Sequence, residues 1–325
     1  MSKTNLEEIA RRSGVSKSTV SRVLNNCPGV DGELREAVIA AVRDDYTATA
    51  KNESPADVCV VLPDNPKFFW HRINETLSSC EEGLRIRTYV YSSLSKASVL
   101  CDYFERIEQS NVKAVIFAGY AEGEARARME HLADTRLLIR LCEYDPMPNA
   151  FFVGANAYED GRLLGERLVR QAQDAHRRGV ALIERGESYN CRLREQGFLE
   201  AVGDRLHVER VAAPKDFRLW SSHLARALSG IVDRFDYVFC SEGVTVPSCE
   251  AIRKLRLGRR IGYFGFESPP SAEPYLESGE ICALMVQDPA EQARVALSLC
   301  KKYLEQHLYP DQKMTYISSK LKTGK

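Results

Sequence analysis

From residue 58 onward, short apolar runs alternate with stretches in which apolar residues recur every three or four positions. The runs at 58–62, 87–91, 114–117, 137–141, 180–183, 237–240 and 261–264 predict strands, and the periodic stretches at 70–84, 96–109, 158–173, 192–202, 219–232 and 289–306 predict helices. Strand followed by helix over more than 250 residues predicts parallel sheets covered by helices on both faces. So long a run divides more naturally into two such layers than one. Ligands of wound sheets sit at the carboxyl ends of the strands, so a cleft between the two layers is the expected binding site.

Residues 4–45 read differently, as three short helices with almost no strand pattern. Between the two regions lies a small, polar segment with nothing to bury, which is how a linker is composed. The expected division is residues 1–46, a linker at 47–57, and a larger unit at 58–325.

The first region carries the local chemistry of two helices joined by a turn. Thr4 and Glu7 fit a capping box; Leu6, Ile9 and Ala10 share one side; and Ser13, Gly14 and Val15 end the helix with the residue a left-handed turn favours. Ser16 then caps a second helix. Val20, Val23 and Leu24 fall on one face of it, and Lys17, Ser18, Ser21, Arg22 and Asn25 on the opposite one. The polar face has donors suited to base edges and phosphate oxygens in a major groove. Its plain alternative is a three-helix cap with a solvated face. A third helix, capped by Asp31 and carrying Leu34, Val38, Ile39 and Val42, would end near Tyr46.

Charge narrows the picture: 45 basic residues balance 45 acidic ones, so any attraction to nucleic acid is local. The first thirty residues carry Lys3, Arg11, Arg12, Lys17 and Arg22 against Glu7 and Glu8, a modest basic patch. The ten cysteines are scattered, with no CxxC pair, and read as reduced core residues rather than a metal site. No cofactor or metal is expected. Neither a signal peptide nor an apolar stretch of membrane-spanning length stands out, so a soluble, cytoplasmic protein is expected. Nucleotide-binding, hydrolase and zinc-protease motifs are absent, which weighs against an enzyme. A solute-binding protein on the same fold is the other rival.

The run Asn5-Leu-Glu-Glu-Ile-Ala-Arg-Arg-Ser-Gly-Val-Ser-Lys-Ser-Thr-Val-Ser-Arg-Val-Leu-Asn25 resembles the DNA-binding headpiece of the LacI/GalR (lactose-repressor) family. The resemblance implies that Lys17, Ser18 and Arg22 face base edges, and that Thr4, Ser16, Ser21 and Asn25 hold phosphates. It further implies a homodimer that binds a pseudo-palindromic double-stranded DNA operator, most often as a repressor, and a larger unit of two periplasmic-binding-protein-like subdomains with Rossmann-like parallel sheets. Landmarks in family order continue through that unit: Asp64 to Phe69, Asn156, Asp160-Gly161, Arg194 to Phe198, Ser241-Glu242, Gly265 to Glu267 and Gln287-Asp288. By this resemblance Phe68, Phe69 and Phe217 wall the cleft, while Asn156, Arg194, Glu242 and Gln287 hydrogen-bond a small polar, sugar-like effector. From the residues alone, Phe68 and Phe69 read more readily as core, and Arg194 and Glu242 are readable as solvated.

Two departures stand out. Residues 47–51 lack the proline and leucine with which the family's hinge helix enters the minor groove, and glutamates at 242 and 267 replace the family's common aspartates. The alternative to a sugar-like effector is therefore a degenerate pocket that binds an unusual effector, or none.

Overall fold

A computed structural model describes residues 10–24, 31, 33, 34, 37, 38, 41, 56–64, 68–79, 83–91, 96–175, 179–184, 188–214, 217–255 and 260–324. The chain forms two compact units, Met1–Pro55 and Ala56–Lys325. In the small unit, residues 10–13 are helical, Gly14 turns the chain at φ +67°, and the Val15 amide bonds to the Ala10 carbonyl at 3.2 Å. Helix α1 (Lys17–Leu24) starts where the Ser16 hydroxyl accepts the Thr19 amide at 3.1 Å. Its Val20 and Val23 join Ala10, Val38 and Ala41 in a small core, and Asp31 caps the next helical residues by accepting the Glu33 amide. Leu34 departs from expectation. It is 44% exposed, because it precedes Val38 by one helical turn and projects beyond that five-residue core.

The large unit holds two six-stranded sheets. Strand β1 (Val58–Pro63) lies between β2 (Ile86–Tyr91) and β3 (Ala114–Ala118), followed outward by β4 (Leu137–Leu141), β5 (Phe151–Gly154) and β11 (Met314–Tyr316). All of these pairings are parallel. Being central, β1 is apolar on both faces. Val58, Val60 and Leu62 pack with Ile73 and Leu77 of α2 (Phe68–Ser79) and with Ala293 and Leu297 of α10 (Pro289–Gln306). Cys59 and Val61 meet Phe104 of α3 (Lys96–Glu108) and Met129 of α4 (Gly123–Thr135) on the other side.

The second lobe repeats the plan. Its sheet runs β12 (Lys320–Thr323), β10 (Ile281–Val286), β9 (Gly262–Phe266), β8 (Tyr237–Cys240), β6 (Gly179–Glu184) and β7 (His207–Ala212), with β12 alone antiparallel. Helices α5 (Ala157–Ala175) and α6 (Tyr189–Val202) cover one face; α7 (Trp220–Ser229), α8 (Thr245–Lys254) and α9 (Glu273–Glu277) cover the other. The chain passes between lobes three times, from β5 to α5, from β10 to α10, and from β11 to β12.

Asp57, expected in the linker, is fixed to the large unit by the Arg85 guanidinium at 2.6 and 3.0 Å. Cys101 and Cys282 are only partly buried, whereas Cys59, Cys142, Cys191, Cys240, Cys249 and Cys300 are core residues; Cys27 and Cys80 lie outside the described residues. Among the described residues no helix is long and apolar enough to cross a membrane.

Candidate functional site

A cleft of about 690 Å³ opens between the lobes of the large unit. Its wall is built from the residues that follow the carboxyl ends of strands, where a wound sheet exposes loop backbone and helix starts. From the first lobe come Asp64 after β1, the first turn of α2, Tyr91 at the end of β2, Tyr120 after β3 and Glu143 after β4. The second lobe contributes the start of α6, Phe217 after β7, residues 242–247 after β8, Glu267 after β9 and Gln287 after β10.

Arg194 is held from beneath. It is 7% exposed, its Nη1 donates to the Ser241 carbonyl at 2.8 Å, and its guanidinium carbon lies 3.9 Å from the Phe266 ring centre. Its Nε is buried with no hydrogen-bond partner among the described residues, an opening that an acceptor oxygen of a ligand would fill. The height of Arg194 is set by glycines. A Cβ on Gly161 of α5 would sit 2.0 Å from the Arg194 carbonyl, and one on Gly197 of α6 would sit 2.0 Å from the Tyr158 carbonyl. Only hydrogen side chains let the two helices approach so closely. The landmark pair Asp160-Gly161 thus acts in the packing behind the cleft.

A polar chain crosses the floor: Gln292 of α10, fully buried, donates to the Gln287 Oε1 at 3.2 Å, and the Gln287 Nε2 donates to the Glu267 Oε1 at 2.8 Å. Thr245 donates to the carbonyls of Phe266 and Glu267, steadying the end of β9. In the first lobe, fully buried Arg140 of β4 donates to the Gly119 carbonyl at 2.6 Å and anchors the loop that carries Tyr120.

The lobes also bond directly. The Asn190 Nδ2 donates to the Cys142 carbonyl at 2.8 Å, and its Oδ1 accepts the Tyr144 amide at 3.0 Å. Tyr120 donates to Glu143 and lies 3.1 Å from the Ser188 hydroxyl. Burial, and then the charge of Glu143, push the Tyr120 phenol well above its ordinary value, so it stays a donor. Burial and then Glu242 raise the Cys191 thiol to about 12, which keeps it protonated.

Phe68, Phe69, Arg194, Phe217, Glu242 and Gln287 all line the cleft. Phe68 and Phe217 are 48% and 40% exposed, Phe217 stacking on Trp220 at 5.5 Å. Phe69 is half-buried, edge-on to Trp70 and packed against the first lobe's core, so it partly fits the core reading too. Asn156 is brought elsewhere: it is not among the lining residues, and its Oδ1 caps α5 by accepting the Glu159 amide at 3.1 Å. A side chain spent on a helix end has its acceptor already filled. Tyr91, Tyr120, Glu143, Ser188 and Asn190 line the cleft and were missed. Glu143 and Tyr120 each stand two residues after a strand, and that position is the signal that would have found them.

In the small unit, Ser16, Lys17 and Ser18 are exposed, and the Ser16 hydroxyl, besides capping α1, lies 2.7 Å from that of Ser18. Ser21 and Arg22 belong to α1, but their side chains lie outside the described residues, as do Thr4 and Asn25 entirely.

Residues 58–307 match the family described as a periplasmic binding protein domain, and residues 5–46 match the bacterial regulatory proteins of the lacI family. Over most of its length the chain belongs to the periplasmic-binding-protein domain family, and it carries a lacI-family headpiece at residues 5–46. The chain is 24% identical over 150 residues to the HTH-type transcriptional regulator DegA of Bacillus subtilis, a match covering 44% of each chain. It is 23% identical over 279 residues to the ribose operon repressor of Halalkalibacterium halodurans, covering 79% of this chain and 77% of that one. Its fold is similar to that of a crystallised LacI-family transcriptional regulator from Silicibacter pomeroyi, with a TM-score of 0.64, 20% identity and 98% of each chain covered. These relatives are regulators of transcription, not enzymes.

Proposed function

We propose that this lacI-family regulator acts as a repressor, binding a pseudo-palindromic operator as a homodimer and answering to a small polar, sugar-like effector in the interlobe cleft. The observation that carries the effector half is the buried, unpartnered Nε of Arg194 in a cleft walled by exposed Phe68 and Phe217. Aromatic faces for stacking beside a fixed guanidinium suit a hydroxylated ring. The relative named as a ribose operon repressor supports both the sugar-like ligand and the direction of control. Support for the DNA half comes from exposed Lys17 and Ser18 on a helix whose Val20 and Val23 are buried, a reading face opposite a packing face.

Two such helices, carried by a dimer, would enter successive major grooves about 34 Å apart. An effector that favours one angle between the lobes would shift the headpiece spacing, since coupling needs different affinity for two states. Fluorescence anisotropy with DNA flanking the protein's own gene tests the reading. Affinity should fall steeply as salt rises, and Arg22→Ala should cost about 1–3 kcal/mol on the preferred site and less on random DNA. Log affinity flat against log salt would sink it.

A further inference from the structure

The large unit holds a second cavity, of about 470 Å³, which shares no lining residue with the cleft. Its floor is sheet. Arg140 of β4, Phe152 of β5 and Met314 of β11 are neighbours in register, so their side chains leave the same face. Over them folds the segment 144–150, clamped at several places. The Tyr144 amide is held by Asn190 at 3.0 Å, Asp145 and the Pro146 carbonyl by the Arg126 guanidinium at 2.5 and 2.9 Å, and Asn149 by Asp134 at 2.5 Å. Pro146 and Pro148 restrict the backbone between those clamps. The hollow is therefore formed before any ligand arrives.

Its lining is apolar with donors set into it. Met147, Phe151 and Phe152 supply surface beside the two prolines. Arg140, 1% exposed, has no hydrogen-bond partner for its Nε among the described residues. Burial holds its guanidinium below the ordinary value, with the charge of Asp145 opposing. Asp145 is the one carboxylate among the described lining residues, and Arg126 and Arg140 share it at 2.5 and 3.3 Å. Glu143 gives Arg140 its backbone carbonyl at 3.4 Å, while its carboxylate accepts from Tyr120. Lys313 lies 4.4 Å from the Phe151 ring centre and has no ion pair among the described residues. Burial, and then Tyr189 and Asp145, raise the Tyr144 phenol, which stays a donor at neutral pH.

We propose that this cavity is a second ligand site, for a small carboxylic acid with an apolar body. The carboxylate meets Arg140, Lys313 and Tyr144, and the body lies against Met147, Phe151 and Phe152. A carboxylate only accepts, and the side chains here offer more donors than acceptors. Hydrogen bonds that involve ionised groups are roughly twice as strong as neutral ones, so charge separates the acid from an uncharged analogue of the same shape.

The test is calorimetry of the full chain at pH 7 with benzoate, phenylacetate, 3-phenylpropionate and 4-methylpentanoate, each beside its neutral amide. At least one acid should bind at least about tenfold more tightly than its amide, and Lys313→Gln should cut that preference at least about threefold. Met147→Trp, which fills the cavity, should abolish binding of the acid. Arg194→Ala, which alters the interlobe cleft, should leave it unchanged. Lys313 is exposed, so its variant keeps the test decisive even where Met147→Trp fails to fold. Amides that bind as well as the acids would overturn the proposal, and so would the absence of binding by every acid. Loss of the acid in Arg194→Ala, with full binding kept in Lys313→Gln, would move the ligand to the interlobe cleft and equally overturn it.

Discussion

The two lobes share a strand plan yet face the cleft with different chemistry. The first offers Phe68, Phe69, Trp70, Tyr91 and Tyr120, a largely aromatic surface. Among the described residues the second offers one aromatic, Phe217, and most of the hydrogen-bonding side chains, with Arg194, Glu242, Glu267 and Gln287 among them. Repeated topology therefore does not repeat function. One wall supplies area to stack on, and the other supplies direction. The second lobe achieves this with helices pressed together at Gly161 and Gly197, an approach that turns α6 into a rigid mount for Arg194.

This contrast is open to attack at several strengths. If the second lobe supplies direction, Arg194→Ala should weaken the effector by about 3 kcal/mol or more, at least about a hundredfold by calorimetry, while operator binding stays intact. Unchanged affinity would remove Arg194 from the site. If the mount matters, Gly161→Ala should cost about 2–3 kcal/mol in urea unfolding, because its methyl meets backbone rather than a movable side chain. Gly203, also in the second lobe but with no atom near its added Cβ, serves as the control; Gly203→Ala should show only the strain of its φ of +52°.

Asp160 probes the same packing through pH. It is 5% exposed, and burial raises its carboxyl to about 6 against an ordinary 3.8, with the Ser319 hydroxyl at 2.7 Å opposing the shift. Between those values the folded chain holds a proton that the unfolded chain has released. The acid therefore weakens the fold at neutral pH, and the penalty fades as pH falls through about 6 towards 3.8. Asp160→Asn should accordingly be the more stable by about 2 kcal/mol at pH 7, with the gap closing near pH 4. A gap independent of pH would show that the side chain acts through shape alone. The smallest effect belongs to the stacking wall: Phe68→Ala and Phe217→Ala should each lose about tenfold or less in effector affinity. A loss from Phe68→Ala equal to that from Arg194→Ala would erase the division of labour.

Much of the architecture was legible where one force dominated. The strand β1 is apolar at nearly every position because both its faces are covered, and α10 begins where Asp288 caps a helix that opens on Pro289. Two apolar strands, β5 and β10, went unread beside the helices that follow them, and elements with mixed demands were missed as well. The edge strands β7 and β12 are polar on their outer sides, α4 has too few apolar positions to mark a face, and α8 carries Pro247 in its first turn, which breaks the helical pattern. For the cleft, Arg194 and Phe217 were found by resemblance. Glu143, Tyr120 and Asn190 are scattered along the chain and meet because parallel strands bring their ends to one side; a place just past a predicted strand was the signal for the first two, and Asn190, at the start of a helix, had none.

The three passages of chain between lobes bear on how the protein is made. One face of β1, formed by Val58, Val60 and Leu62, is covered in part by Ala293, Ala296 and Leu297 of α10, more than 200 residues later in synthesis. Until that helix leaves the ribosome, one face of the first lobe's sheet is only partly covered, by α2, while strands β6 to β10 of the second have their covering helices at hand. The lobe translated first therefore waits longest for one of its covering helices. Its nascent form is a natural client for a chaperone, and a ribosome stalled before residue 289 would hold it in its most aggregation-prone state.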